Sequence, residues 1–271
     1  MFRKEVYTHF TKTGKAQQVA TIPWISSDFT SLTSAVSFNL GQPWYDDFGN
    51  VFVLRKAGAA VALGNVMMID VPLTATAQTG STTQQVFTNA TLTASAEKGS
   101  FYIDDNIGTS GTTKTDVIKL IKDNTGGANA KVTVSQNNTA YANNQPDQDA
   151  YVTAPANSDA GRIYRPHQVI PMSTARSTLS SVVGIAVQAI TSGNFGFLQT
   201  RGVALVSANA AVAWALNGPV IPDSATAGNA MGATSWQLTA KGPNIGESLS
   251  IISTSQANAL GVCVLCLEQM S

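Results

Sequence analysis

The sequence predicts an all-β protein: a β-barrel or sandwich body, an inserted mostly-β subdomain and an extended N-terminal arm. Three observations carry that expectation. Short runs of β-branched, aromatic and aliphatic residues recur between Gly, Pro and Asn breaks, as strands between turns do. No stretch sustains the i, i+3, i+4, i+7 apolar spacing of a long amphipathic helix. Only 12% of residues are charged, about half the share in an ordinary soluble domain.

Residues 1–40 show little periodicity and are read as the arm. Within the first fifteen, Arg3, Lys4, Lys12 and Lys15 against Glu5 leave a net charge of +3, four minus one. The body is assigned to residues 41–72 and 165–271. Residues 44–48 and 51–56 are β-prone runs separated by Gly49-Asn50, where glycine supplies the positive φ of a hairpin turn. Residues 66–69 make a further strand. Residues 73–164 are assigned to the insertion. Thr and Ala dominate it up to Ala96, and between Glu97 and Lys131 five Lys stand against one Glu and four Asp. Residues 101–103 and 131–134 read as strands and 137–149 as a loop. Residues 115–122 read as a short helix with Val117, Leu120 and Ile121 on one face. The remainder returns to strands at 182–190, 194–200, 203–206, 248–253 and 261–268, with Gly202 marking a bulge.

Positive and negative residues cancel, 16 against 16. A nucleic-acid partner calls for a basic field that displaces counterions from phosphates, so none is expected. Asp70 is the only charge in residues 57–96, and Arg201 and Asp223 are the only ones in 177–240. Neutral faces of small residues can pack in many copies without like-charge repulsion or a large desolvation cost. A solvated surface rich in hydroxyls and amides has the same composition, and both readings stay open here. No membrane partner is expected either. The longest apolar-leaning run, 202–221, is broken by Ser207, Asn209, Asn217, Gly218 and Pro219. The first fifteen residues lack the apolar run of a secretory signal, which predicts synthesis in a cytoplasm.

The chemistry-bearing residues form no recognisable set. His9 and His167 are the two histidines. Gly108-Thr-Ser-Gly111 is one residue short of a nucleophile elbow. The stretch from Gly108 to Lys114-Thr115 lacks the glycine that a phosphate loop places directly before its lysine. Cys263-Val-Leu-Cys266 lies in a strand-like run, where positions i and i+3 face opposite sides. It reads as two buried free thiols rather than as a redox or zinc motif. Asp46-Asp47, Asp104-Asp105 and Asp147 with Asp149 read as turn formers. Trp44, Trp214 and Trp236 could stack on sugars, the plainer reading being core anchors. The sequence therefore nominates no catalytic, cofactor-binding or metal-ligating residue and predicts a non-enzyme.

Three blocks carry a family resemblance. Gly41-Gln42 through Asp47-Phe48-Gly49, followed by Leu54-Arg-Lys-Ala-Gly-Ala-Ala60, resembles a motif near the start of tailed-bacteriophage virion proteins. Gly99-Ser-Phe-Tyr-Ile-Asp-Asp-Asn-Ile-Gly108 with Val117-Ile-Lys119 is similar to a second stretch of those proteins, its latter half being looser here. Gly184-Ile-Ala-Val187 and Gly193-Asn-Phe-Gly-Phe-Leu-Gln-Thr-Arg-Gly-Val203 resemble their late block. Ser224-Ala-Thr-Ala-Gly228 and Ile245-Gly-Glu-Ser248 then follow in order. The resemblance spans most of the chain from residue 41 onward. It implies a capsid decoration or cement protein, made in the host cytoplasm and seated on the outside of the virion head. The implied partners are copies of itself, as a homotrimer, and the major capsid protein. The alternatives are another virion component, such as a head fibre, tail tube or baseplate protein, or a module that binds a host glycan.

Overall fold

The computed structural model describes residues 6–10, 16–20, 40–46, 48–78, 85–104, 118–134, 160–173, 182–209, 213–233, 244–253 and 259–267. No described residue is helical, and the chain is all-β. It divides into two units, Met1–Asp70 with His167–Ser271, and Val71–Pro166. The first unit opens with β1 (Val6–Phe10), β2 (Ala16–Ala20), β3 (Pro43–Tyr45), β4 (Val51–Ala57) and β5 (Val66–Ile69). The second holds β6 (Leu73–Gln78), β7 (Gln85–Thr88), β8 (Phe101–Asp104), β9 (Ile118–Leu120), β10 (Asp123–Asn124), β11 (Lys131–Thr133) and β12 (Ala160–Tyr164). The first unit resumes with β13 (Gln168–Pro171), β14 (Val182–Ala186), β15 (Phe195–Ser207) and β16 (Pro219–Pro222). It ends with β17 (Ala230–Gly232), β18 (Gly246–Ser248) and β19 (Leu260–Cys266). Within the arm, β1 and β2 pair antiparallel, and residues 1–5, 11–15 and 21–39 lie outside the described residues.

The first unit is built on a closed barrel. Strands β15, β14, β5, β13 and β4 pair in that order, and β4 pairs back onto β15. Ala57, Met67, Val169, Ala186 and Leu198, one from each strand, are fully buried in one cluster. A barrel this narrow has room for side chains and nothing else. Strands β13 and β4 pair in parallel. A parallel pair needs a long crossover between its strands, and the segment from β4 to β13 contains β5 and the whole second unit.

Strand β15 lies within one ten-stranded sheet, in the order β17-β16-β18-β19-β15-β14-β5-β13-β4-β3. Its first half pairs with β4 and β14 in the barrel, and Arg201–Ser207 pair with β19. The register slips between Gln199 and Arg201, so the bulge sits at Thr200, beside Gly202 with its φ of +96°. Beyond the bend β15 continues the same sheet into β19, β18, β16 and β17. The inner side of β15 and β19 supplies Ala204, Val206, Cys263 and Leu265 to one core cluster, with Trp214 from between β15 and β16 and Val66 and Ile185 of the barrel wall. Phe52, Leu54 and Phe197 form another cluster, joined by Leu40 and Trp44. The β3–β4 connection is longer than the expected two-residue Gly-Asn turn. Gly49, at φ +79°, donates its N–H to the Asp46 carbonyl. The Asp46 carboxylate accepts from the amides of Phe48 at 2.9 Å and Asn50 at 2.8 Å, a side-chain closure that favours the longer loop.

The second unit is a seven-stranded sheet in the order β10-β11-β7-β6-β12-β8-β9. Tyr102, Ile121, Val132 and Ile163 lead its core. The helix expected over 115–122 is not what forms: Ile118–Leu120 is β9, antiparallel to β8, and residues 115–117 lie outside the described residues. Two turns of apolar spacing are too short to hold a helix alone. β-branched Ile118 fits the edge that β8 offers. The loop expected at 137–149 also lies outside the described residues.

Candidate functional site

Several of the titratable groups are engaged by local hydrogen bonds and ion pairs. His9 lies on β1 opposite Gln17. His167 is half-buried, with Nη1 of Arg55 at 3.0 Å from its Nδ1. Since arginine only donates, Nδ1 is the acceptor. Burial, and then the Arg55 charge, hold the imidazole below its ordinary 6.5. The folded state thus favours neutral His167. Its contribution to stability is present above about pH 6.5, the unfolded value, and is lost as pH falls from there through the lowered folded value. The urea midpoint of the wild type should fall more steeply between about pH 7.5 and about pH 5.5 than that of His167→Gln, which retains His9. Parallel slopes would refute this assignment.

Asp223, nearly inaccessible, accepts the backbone N–H of Ala225 at 3.1 Å and of Thr226 at 2.7 Å, together with Nδ2 of Asn209. A carboxylate saturated by its own turn is a structural cap rather than a base. Nothing in the sequence reading singled it out, although Pro222-Asp223-Ser-Ala-Thr226 has the composition of such a turn. Glu97 is buried and takes a two-pronged contact from Arg165, Nε to Oε2 at 2.8 Å and Nη2 to Oε1 at 2.7 Å. Asp46 closes the β3–β4 connection. Asp104 ends β8, while Asp47, Asp105, Asp147, Asp149 and the 108–115 stretch lie outside the described residues.

Both cysteines fall on β19, where Cys263 pairs with Ala204 and Cys266 with Arg201. Cys263 is a fully buried free thiol in the core that contains Trp214. Cys263→Ala should therefore cost only about 1 kcal/mol, the loss of one sulfur's packing. Thermal melts of the two proteins measure it, and a loss several times larger would mean the thiol does more than pack. Trp214 is 1% exposed, a core anchor that no sugar can reach. Trp44 is half-buried against the Phe52 cluster, and Trp236 lies outside the described residues. Among the described residues no three His, Cys, Asp or Glu side chains are grouped so as to hold a metal ion.

The surface carries a clearer feature. On β15, Val203 and Leu205 are each 45% exposed, and on β19 Leu260 is 44% exposed. Register pairs Val203 with Val264, Leu205 with Val262 and Ser207 with Leu260, so these side chains share one outward face. In the second unit Ile118 and Leu120 of β9 also point outward, while Lys119 between them is buried. A half-solvated antiparallel strand alternates apolar with polar residues. The unbroken apolar runs at 202–206 and 260–267 depart from that rule, and this is the signal by which the face could have been found from sequence.

No protein-family model matches the chain, and neither a curated protein nor a solved structure matches it.

Proposed function

We propose that this chain is a non-enzymatic virion structural protein that binds the outside of a capsid lattice and stabilises the head, as a homotrimer. The observation that carries the reading is the aliphatic outer face of β15 and β19, displayed on strands whose other side is already core. Such a face is suited to lasting contact with protein rather than to turnover of a small molecule. The charge-poor stretches and the ordered sequence blocks from residue 41 onward support it from an independent direction.

The mechanism is mechanical. A rigid β body that bridges neighbouring copies of the major capsid protein adds buried interface. That interface has to be lost before the shell opens, so binding shifts the equilibrium toward the closed particle. Adding purified protein back to particles that lack it tests the reading. Saturable occupancy with a raised temperature of genome release is the expected result, and a protein that never binds the shell would refute it.

A further inference from the structure

We infer that the outer face of β15 and β19 is where a second copy of this chain seats. The inference rests on the reading of the chain as a self-associating building block and supplies the surface through which it associates.

The strands β15 and β19 are apolar on both sides. Ala204, Val206, Cys263 and Leu265 fill the inner face and are buried. Val203, Leu205 and Leu260 stand out on the other, with Val262 half-buried among them. Leu249 extends the strip sideways: its N–H donates to the Val262 carbonyl at 2.8 Å, and it is 44% exposed. Folding needs only the inner set. An aliphatic outer set on adjacent strands is a liability in a free monomer, and so marks a contact surface.

The charges beside the strip select the occupant. Arg201 lies on β15 two residues before Val203, and it is exposed. Glu247 lies on β18, paired with Val264. The two stand on opposite sides of the strip, separated by β19. A surface with one cation on one side, one anion on the other and aliphatic residues between is complementary to itself. About a two-fold or a three-fold axis alike, Arg201 of one copy can meet Glu247 of the next. The edge of β15 away from β19 is closed at Val203 by Asn50 and Gln199 and at Ser207 by the Gly64 carbonyl, and β19 is covered by β18 and Leu249, so the contact is face to face rather than an added strand.

Sedimentation equilibrium of the full chain tests this. The wild type should self-associate. Val203→Lys with Leu205→Lys should weaken association on the order of 100-fold, because it places unpaired charge in the centre of a desolvated face, with the far-ultraviolet circular dichroism unchanged. Arg201→Glu should weaken it as well, and adding Glu247→Arg should restore it, which a merely misfolded variant could not do. A wild type that stays monomeric overturns the inference. So does a double-lysine variant that associates like the wild type, or a charge reversal that the second change fails to rescue. Shell occupancy is read separately. A wild type that assembles through this face yet ignores capsids would sink the capsid reading alone, and a variant that is monomeric but still occupies shells would leave that reading standing.

Discussion

Gly202→Ala is expected to destabilise the first unit by about 3–5 kcal/mol, the sum of backbone strain and of polar groups left unpaired. At φ +96° an L side chain is strained whatever the space around it. Here the space is also taken: a Cβ on Gly202 would run into Oδ1 of Asn50. That oxygen accepts the Val203 amide and Nε2 of Gln199, both at 3.2 Å. Nδ2 of Asn50 donates to the Asp46 carboxylate at 2.7 Å. Gln199 in turn donates to the carbonyls of Arg201 at 3.1 Å and Val203 at 3.0 Å. Two buried amide side chains therefore satisfy the backbone groups that the bulge releases from the ladder. Pushing Asn50 aside unpairs several of them at once. Urea unfolding measures the loss, and Asn50→Ala should move stability in the same direction by a smaller amount. A Gly202→Ala protein as stable as the wild type would mean that the bend is not held in this way.

Arg165→Ala should cost the second unit about 3–5 kcal/mol, because it strands a buried carboxylate. The Glu97 side chain is 6% exposed and that of Arg165 18%, and the fork between them is closed at both prongs. Removing both partners, as Glu97→Ala with Arg165→Ala, should recover much of the loss, since the buried charge goes with its partner. Arg165→Lys should not rescue, for an ammonium cannot reproduce the two parallel donors. Additive single losses in the double variant would show the pair to be uncoupled.

Much of this architecture was legible in the chain, and the physical reason differs from element to element. Strands such as β4, β14 and β19 announce themselves as compact runs of Val, Ile, Leu and Phe between breaks. The bulge was legible because Gly202 interrupts an apolar run that no turn follows. Closure of the barrel was not legible. It joins β4 to β15, and Asn50 to Gln199 across 149 residues, through backbone pairing that leaves no local mark. The Glu97–Arg165 pair, 68 residues apart, is hidden for the same reason. Residues 115–122 misled because Val117, Leu120 and Ile121 fit a helical face, whereas the edge of β8 decided the outcome for Ile118–Leu120. In β9 it is Lys119 that turns inward and Ile118 and Leu120 that turn outward, the reverse of what hydrophobicity alone would assign. On the C-x-x-C run, strand geometry was enough to argue against a redox pair, and Cys263 is indeed a buried thiol on a strand.

Electron cryo-microscopy of the native particle tests the central claim most directly. The account predicts density for the five-stranded barrel on the outer surface of the head, repeated across the lattice in contact with the major capsid protein, with the β15–β19 face buried against another copy of this chain. Barrel density at a tail tip or in a neck, with none on the head surface, would contradict it.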